Sequence, residues 1–195
     1  QHLPRGGLIH RIDKNTSGLL LVARNIQSYG FLSKILQKRA ISRIYLAVVN
    51  GVMISGGSVE ANIRRDNIVR TRMKVSDSGR YAKTNFRILK KYRAHTLLEV
   101  QLETGRTHQI RVHMASIGHP ILGDTAYGAR PHVPKNPTAT LKEIVSAFSR
   151  QALHAARLEF IFPEKGKKWF FVSRLPSDLN ALVDALDIDA EKLNS

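Results

Sequence analysis

Two segments of alternating polar and apolar residues, 83–92 and 95–103, are separated only by Arg93 and Ala94. Alternation with a period of two predicts strands that bury one face, and so short a connection joins only antiparallel neighbours. Further strands are predicted at 43–50, 59–63, 153–162 and 168–174, with a turn at 164–167 before the last of them. This many strands with few helices predicts an α+β fold, built on a mixed, mainly antiparallel sheet flanked by helices and loops.

Four other segments have helical patterns. Ser28 is the expected cap of a helix near 29–39, whose apolar residues recur at helical spacing and whose other side is basic. Thr107 is expected to cap a second helix, near 108–117. The last two helices are predicted near 139–148, after a proline-rich loop at 128–140, and from a cap at Ser177 to Leu186.

Lysine and arginine outnumber aspartate and glutamate by 31 to 15, which gives the chain a net charge of +16. The cations are spread through a folded domain, so a polyanion such as RNA is expected as the partner, rather than a membrane surface. The stretch 64–81 is especially cationic and predicts an RNA-facing loop or hairpin, although an exposed loop without a role would look the same. No apolar run is long enough to span a membrane, and no cysteine is present to form a disulfide or to bind zinc.

A polar turn at 15–18 precedes the apolar run 19–22, which predicts a buried strand with a loop at its start. Asp13 lies on that loop, and loops held by a rigid scaffold carry many catalytic groups. Its cationic neighbours, Arg11 and Lys14, favour an ionised carboxylate that can act as a nucleophile. From these residues alone, a carboxylate that only caps a turn is an equally good interpretation.

The segment His10-Arg11-Ile12-Asp13-Lys14-Asn15-Thr16-Ser17-Gly18 resembles the active-site motif of the RluA-type pseudouridine synthases, which modify ribosomal and transfer RNA. A second block, from Glu103 to Met114, resembles the other long motif of that family, and the family pattern continues through 118–124 and Tyr127-Gly128. The segment 150–155 is similar to the RluD-like branch, which acts on large-subunit ribosomal RNA. Two long motifs in the same order are much more specific than either motif alone.

This resemblance implies a curved pseudouridine-synthase sheet with an RNA-binding cleft across its middle. It implies an isomerase that detaches uracil from C1′, turns it and rejoins it through C5, with no redox change and no cofactor. Asp13 matches the aspartate of the family, which supplies an anionic nucleophile or charge partner at the bond between sugar and base. Attack at C1′, attack at C6 of the base and removal of a sugar proton are all left open by the sequence.

The resemblance also assigns catalytic roles to Tyr45 and Arg111. Tyr45 stands where the family has an active-site tyrosine, whose ring can stack on the target base and whose hydroxyl can serve in proton transfer. Arg111 matches the basic residue that pairs with the aspartate and keeps it ionised. A half-buried strand tyrosine and a surface arginine on a helix are the plain alternatives.

Four residues are expected to bind the substrate. Arg11 matches a residue that fills the gap left when the target nucleotide leaves the stack. Ile110 matches a residue that lines the base pocket, although core packing explains it equally well. Arg106 and His108 are expected phosphate contacts at a helix start. No metal site is expected, because His108 and His113 are five residues apart and point in different directions on a helix.

Residues 1–195 are expected to form a single catalytic domain, active in the cytoplasm as a monomer. The absence of cysteine fits that reducing compartment. The family usually carries an upstream strand with an Asn-Lys-Pro-x-Gly segment, and often an S4-like RNA-binding domain, so the chain resembles a fragment or the ordered part of a longer protein. A catalytically silent RNA-binding or ribosome-assembly factor and a related synthase acting on transfer RNA are the alternatives.

Overall fold

The computed structural model describes residues 2–128, 132–162 and 166–192 of the chain. Its strands are β1 (Ser17–Gly18), β2 (Ser42–Asn50), β3 (Gly57–Glu60), β4 (Ile63–Arg65), β5 (Met73–Val75), β6 (Lys83–Lys91), β7 (His95–Leu102), β8 (Leu153–Phe162) and β9 (Lys167–Val172). Its helices are α1 (Ile26–Gln37), α2 (Gln109–Ser116), α3 (Ala139–Ala147) and α4 (Ser177–Glu191), and a short 3-10 turn covers Pro4–Gly7.

Seven strands form one sheet in the order β1-β8-β2-β7-β6-β3, and β9 pairs with β8 beyond the end of β1. Every pair in this sheet is antiparallel except β1 with β8, which confirms the predicted mixed, mainly antiparallel α+β fold. The predicted hairpin is also confirmed: β6 and β7 pair along their length, and the N–H of Tyr92 donates to the carbonyl of His95 across the turn.

The main hydrophobic core joins the middle of the sheet to three helices. Val48 of β2 and Leu98 of β7 pack with Met114 of α2, Leu141 of α3 and Leu182 of α4, and all five are almost completely excluded from solvent. Burial of this apolar surface is the main source of stability. The start of β2 and the helix α2 are therefore presented from a rigid support.

A second core packs α1 against the first part of the chain and the end of β8, through Ile9, Leu32 and Phe160. A third, small cluster of Ile63, Ala82 and Val112 joins α2 to the base of the hairpin formed by β4 and β5. The predicted apolar face of the first helix is thus confirmed, and so is a hairpin within the cationic stretch 64–81.

The predicted buried strand at 19–22 is wrong. The strand is the two-residue β1 before it, and Leu20 and Val22 are 41% and 48% exposed. The run changes partner along its length: the N–H of Leu19 donates to Ala155 of β8, whereas the carbonyl of Leu21 accepts from Ile9. No single neighbour therefore extends β1 into a longer strand.

Three predicted helix caps are also wrong. Asn25 caps α1, because its side chain accepts a hydrogen bond from the N–H of Ser28, which was the predicted cap. The residue before α2 is His108 in a left-handed conformation, so Thr107 lies outside the capping position. Ser177 is the first residue of α4, which continues past Leu186 to Glu191. Of these three helices, only α1 is capped by another polar side chain, whereas His108 and Pro176 precede α2 and α4 without a side-chain cap.

The single strand predicted at 59–63 is two strands, because β3 pairs with β6 whereas β4 turns away to pair with β5. The helix predicted near 139–148 is α3. Parts of the predicted loop at 128–140 and of the turn at 164–167 lie outside the described residues. Within the described ranges, none of the helices has the length and apolar character needed to cross a bilayer.

Candidate active site

A cavity of about 300 Å³ opens between the first loop, the start of β2 and the segment that leads into α2. Six of the seven predicted site residues line it, namely Arg11, Asp13, Tyr45, Arg106, His108 and Ile110. The seventh, Arg111, reaches the same place, with its Nη1 atom 3.5 Å from Oδ2 of Asp13. The structure therefore brings together the two motifs that lie far apart in the sequence.

The loop that carries Asp13 is a tight turn with fixed backbone contacts. The N–H of Thr16 donates to the carbonyl of Asp13 at 3.0 Å, and Asn15 between them is left-handed, with φ of 68°. The buried side chain of Gln151 donates to the carbonyl of Lys14 at 2.7 Å and to Oγ1 of Thr16 at 2.9 Å. The partly buried carboxylate of Asp13 is therefore presented to the cavity by an immobilised loop.

The strand that follows this loop approaches β8 very closely. A Cβ added to Gly18, whose φ is 105°, would lie 2.2 Å from the carbonyl oxygen of Ala155. Only glycine fits this backbone conformation and this spacing. The glycine at the end of the first motif thus allows the loop to join the sheet directly.

Arg111 has a second and stronger carboxylate partner than Asp13. Its Nε and Nη2 atoms donate to the two oxygens of Asp124, at 2.6 and 2.9 Å, in a bidentate pair. The side chain of Asp124 is completely buried, and it also accepts from the N–H groups of Ala126 and Tyr127. The predicted pair of Asp13 and Arg111 is present, but Asp124 fixes the orientation of the guanidinium.

The charge state of Arg111 follows from these contacts. Burial lowers the pKa of Arg111, but the hydrogen bonds and charge of Asp124, together with the charge of Asp13, outweigh burial and raise it. A permanent cation therefore lies beside the carboxylate of Asp13. The two groups form an ion pair inside a partly closed site.

Tyr127 covers one side of the same arginine. The centre of its ring lies 4.9 Å from Cζ of Arg111, and its hydroxyl lies 2.7 Å from Nδ1 of His108. The hydroxyl oxygen also accepts from the N–H of Met73, the first residue of β5, at 2.6 Å. Tyr127 thus connects the hairpin of β4 and β5 with the arginine beside Asp13.

Tyr45 lies on β2 and is 6% exposed, with its ring in the wall of the cavity. Burial raises the pKa of Tyr45 to about 12; the charge of Arg43 lowers it and the charge of Asp13 raises it. The side chain is therefore a neutral phenol in the physiological range. It can stack on a base and donate a hydrogen bond or a proton.

A β-bulge positions this part of β2. Tyr45 pairs with Ala155 and Ile44 with Arg157, so Ala156 has no partner residue on β2. Bulges of this kind re-aim side chains and occur often beside active sites. Arg43 lies two residues before Tyr45 and also lines the cavity, although it is only 8% exposed.

The four predicted substrate-binding residues lie at different depths. Arg11 is exposed at the mouth, whereas the Nε of Arg106 donates to the carbonyl of Tyr81 at 3.0 Å. His108 is half-buried, and burial lowers its pKa while the charge of Asp13 raises it. Ile110 is buried in the main core and also lines the cavity, so both interpretations of this residue describe its position.

The start of α2 is held by a buried glutamine. The Oε1 atom of Gln109 accepts from the hydroxyl of Thr104 at 2.7 Å and from the N–H of Arg106 at 3.0 Å. Its Nε2 atom donates to the carbonyl of Lys83 at 2.9 Å. His113 is buried one turn later, with contacts from both ring nitrogens to Thr84 and Ala61. In the parts of the chain that the structure describes, no group of three acidic or histidine side chains could hold a metal ion.

A model of the RNA pseudouridylate synthase family matches residues 1–116. The chain belongs to this family. The resemblance of both motifs to this family is therefore confirmed.

Named members of the family extend the match to nearly the whole chain. The chain is 47% identical over 192 residues to "Ribosomal large subunit pseudouridine synthase D" of Vibrio cholerae, covering 98% of this chain and 59% of that protein. It is 45% identical over 190 residues to the protein of the same name from Pseudomonas aeruginosa, covering 97% and 59%. The chain thus spans about three fifths of the length of these relatives.

Two solved structures of the family share this fold. Human RNA pseudouridylate synthase domain containing 4 superposes with a TM-score of 0.73 at 26% identity, covering 92% of this chain and 75% of that one. Human RNA pseudouridylate synthase domain containing 1 also gives 0.73, at 24% identity, covering 96% and 80%. This second likeness supports the fold alone.

Sequence reasoning missed four residues that shape the site of this family member: Arg43, Asp124, Tyr127 and Gln151. Asp124 and Tyr127 stood inside the segments that resembled the family, but nothing in the sequence showed which charge each would face. Arg43 shares the strand face of Tyr45 by its spacing of two, which was the available signal. The role of Gln151 could not be found locally, since its partners are at the other end of the chain.

Proposed function

We propose that the chain is the catalytic domain of an RNA pseudouridine synthase, which isomerises uridine to pseudouridine in large-subunit ribosomal RNA. The observation that carries this proposal is the carboxylate of Asp13 beside Arg111, at a cavity with the dimensions of one nucleotide. The relatives that are named as large-subunit synthases support the choice of RNA. We propose further that residues 1–195 act as one domain and as a monomer, in the cytoplasm.

In this proposal Asp13 supplies the negative charge that the reaction needs at the bond between sugar and base. The bond from C1′ to N1 of the base breaks, the uracil turns, and a bond from C1′ to C5 forms, while C5 loses a proton and N1 gains one. Substrate and product have the same atoms and the same oxidation state, so no cofactor is proposed. The guanidinium of Arg111 pairs with the carboxylate of Asp13, while Asp124 orients Arg111.

Tyr45 and Ile110 are proposed to hold the detached base. The phenol of Tyr45 is neutral, so it can stack on uracil and donate a proton or hydrogen bond. Ile110, which belongs to the second motif, supplies an apolar part of the cavity wall.

RNA is proposed to bind across the cavity mouth. Arg11 would fill the gap left by the extruded nucleotide, and Arg106 and His108 would contact phosphates beside it. The cationic hairpin of β4 and β5 extends the same positive surface, since Tyr127 fixes it next to the site. A net charge of +16 favours such phosphate contacts along a long RNA.

The test is release of tritium from RNA that carries uridine labelled at C5, with Asp13→Asn as the variant. We expect wild-type protein to release tritium and Asp13→Asn to lose turnover by about a thousandfold or more, while RNA affinity changes little. Glu143→Gln is the control, because it removes an exposed carboxylate distant from the cavity lining. Turnover by Asp13→Asn within tenfold of the wild type would refute the role of Asp13.

The alternatives give different results in the same experiment. A catalytically silent RNA-binding or ribosome-assembly factor would bind ribosomal RNA in a salt-dependent way, yet release no tritium from any RNA. A synthase of transfer RNA would release tritium from transfer RNA only. Mapping pseudouridine in RNA from cells that lack the gene then identifies the modified position.

A further inference from the structure

The cavity contains a buried positive charge that no negative charge of the described chain balances. Arg43 is 8% exposed, and its Nε atom is fully buried without a hydrogen-bond partner among the described residues. No carboxylate of the described chain lies within ion-pair distance of it, in contrast to Arg111, which faces two. An unpaired cation in such a place is unfavourable for folding, since its lost hydration is not replaced.

The surroundings of Arg43 leave its guanidinium facing the cavity. Nη1 lies so close to Gly105 that a Cβ there would be 2.6 Å from it, so the glycine leaves room for the side chain. His10 is close enough to feel its charge, but the Nε2 of His10 accepts from the N–H of Leu21 and gives Arg43 no anion. Leu36 and Leu102, which also line the cavity, offer no polar side-chain group.

We propose that Arg43 is an anion-binding residue that receives a phosphate of the RNA, at the nucleotide seated in the cavity. A phosphate supplies the missing negative charge, and a guanidinium binds it with two parallel hydrogen bonds. A uracil carbonyl could accept a hydrogen bond but would leave the charge unbalanced. This inference rests on the proposed function and deepens it, because it assigns a phosphate contact to a residue of the cavity lining that stands two positions before Tyr45 on the same strand.

The first test replaces single phosphates of a uridine-containing RNA stem-loop by neutral methylphosphonates, next to the target uridine. With wild-type protein, one such linkage is expected to weaken binding about tenfold. Arg43→Gln should weaken binding of the unmodified RNA by a similar factor, and the methylphosphonate should then cause no further loss. Arg24→Gln is the control, because it removes an exposed arginine outside the cavity lining and should leave the methylphosphonate effect intact.

The second test does not depend on RNA or on activity. Inorganic phosphate should raise the melting temperature of the wild type and of Arg24→Gln more than that of Arg43→Gln. Without phosphate, Arg43→Gln should melt at the same temperature as the wild type or higher, since it removes an unpaired buried charge. Arg43→Lys, which keeps the charge, should retain part of the response to phosphate.

Three results would overturn the proposal. The first is that the loss of RNA affinity caused by Arg43→Gln adds to the loss caused by every methylphosphonate, and the second is that phosphate stabilises all variants equally. The third is a markedly lower melting temperature of Arg43→Gln. The last result would show that Arg43 holds the fold together. If the wild type isomerises no RNA at all, the proposed function fails, but both measurements still decide the role of Arg43.

Discussion

Two arginines reach the same cavity in opposite electrostatic states. Arg111 has a bidentate partner in Asp124, a second carboxylate in Asp13 and an aromatic ring against its face. Arg43 is buried to a similar degree and has no carboxylate partner in the part of the chain that the structure describes. The pKa of Arg111 is raised by its partners, whereas burial lowers the pKa of Arg43.

The two guanidinium groups therefore differ in their partners: Arg111 interacts with carboxylates of the protein, whereas Arg43 is proposed to interact with an anionic ligand. A balanced pair such as Arg111 and Asp124 can orient a third group, here Asp13, without any substrate. An unbalanced cation such as Arg43 weakens the free protein and is satisfied only when an anion arrives. In the proposed function, one wall of the cavity is thus organised before RNA binds, and the other becomes electrically neutral on binding.

The largest expected effect comes from removing Arg111, the arginine that is paired with carboxylates. Arg111→Met leaves the fully buried carboxylate of Asp124 unpaired, so the unfolding free energy should fall by about 3–5 kcal/mol. The double variant Arg111→Met/Asp124→Leu should recover much of that loss, because an apolar pair replaces a buried ion pair with little cost. Neither protein should isomerise uridine, since Asp13 has lost its cation. Urea unfolding and tritium release measure the two quantities.

Arg87→Met is the control for this experiment, because Arg87 makes a similar pair with Glu99 on the exposed surface. It should change stability little, since exposed pairs are screened by water and salt. Recovery of activity together with stability in the double variant would show that Arg111 acts only in folding.

A smaller effect is expected from a substitution that weakens the contacts around Arg111 but keeps its charge. Tyr127→Phe keeps the ring over Arg111 but removes the hydroxyl that accepts from Met73 and contacts His108. The loss of these bonds should lower stability by about 1–2 kcal/mol and kcat by about tenfold, with KM less affected. Steady-state kinetics on the labelled RNA separates kcat from KM.

Tyr81→Phe provides the matched control, because it removes an exposed hydroxyl that, among the described residues, bonds to Glu60 alone at the surface. It should leave kcat unchanged. A change confined to KM in Tyr127→Phe would instead indicate that this hydroxyl helps to bind RNA and does not position Arg111.

The smallest expected effect is a change in how the free energy of unfolding depends on pH when Arg43 is replaced. Burial lowers the pKa of His10 below its ordinary 6.5, and the charge of Arg43 lowers it further. As the pH falls, His10 therefore binds a proton in the unfolded chain before it does so in the folded chain. The free energy of unfolding should for this reason decrease as the pH falls below 6.5. In Arg43→Met this decrease should be smaller, by less than about 1 kcal/mol, because one of the two causes is gone.

Unfolding in urea across the range of about pH 5 to 7 measures this slope. Arg24→Met, which removes an exposed cation, should keep the slope of the wild type. An identical slope in Arg43→Met would mean that the two side chains do not interact, and that the charge of Arg43 is already balanced by other means.

The sequence predicted those parts of the fold in which local pattern and tertiary environment agree. Alternation located β6 and β7, because each of these strands has one face in a core that also selects for alternation. The strand β2 was located by its apolar run and is largely buried on both faces. It failed for 19–22, where four consecutive apolar residues are divided between two different partners and half of them face solvent. The partner of a strand is a tertiary property, so a short apolar run does not reveal it.

The candidate site was likewise predictable from the sequence only in part. The motifs predicted that Asp13, Tyr45 and Arg111 belong together, and the structure places them around one cavity. The charge balance was not predictable, since it depends on which side chain approaches a guanidinium after folding. Asp124 balances Arg111 while nothing described balances Arg43, and no spacing rule distinguishes these two arginines.

The hydrogen bonds that close the loop around Asp13 have a consequence for how the protein is made. Asn15 accepts from Arg150 and Lys14 accepts from Gln151, across 135 and 137 positions of the sequence. Contacts between such distant residues form late, because the intervening chain must first be ordered. A nascent chain on the ribosome would therefore already carry Asp13, Tyr45 and Arg111, yet remain without an assembled loop until the region that leads into β8 has emerged.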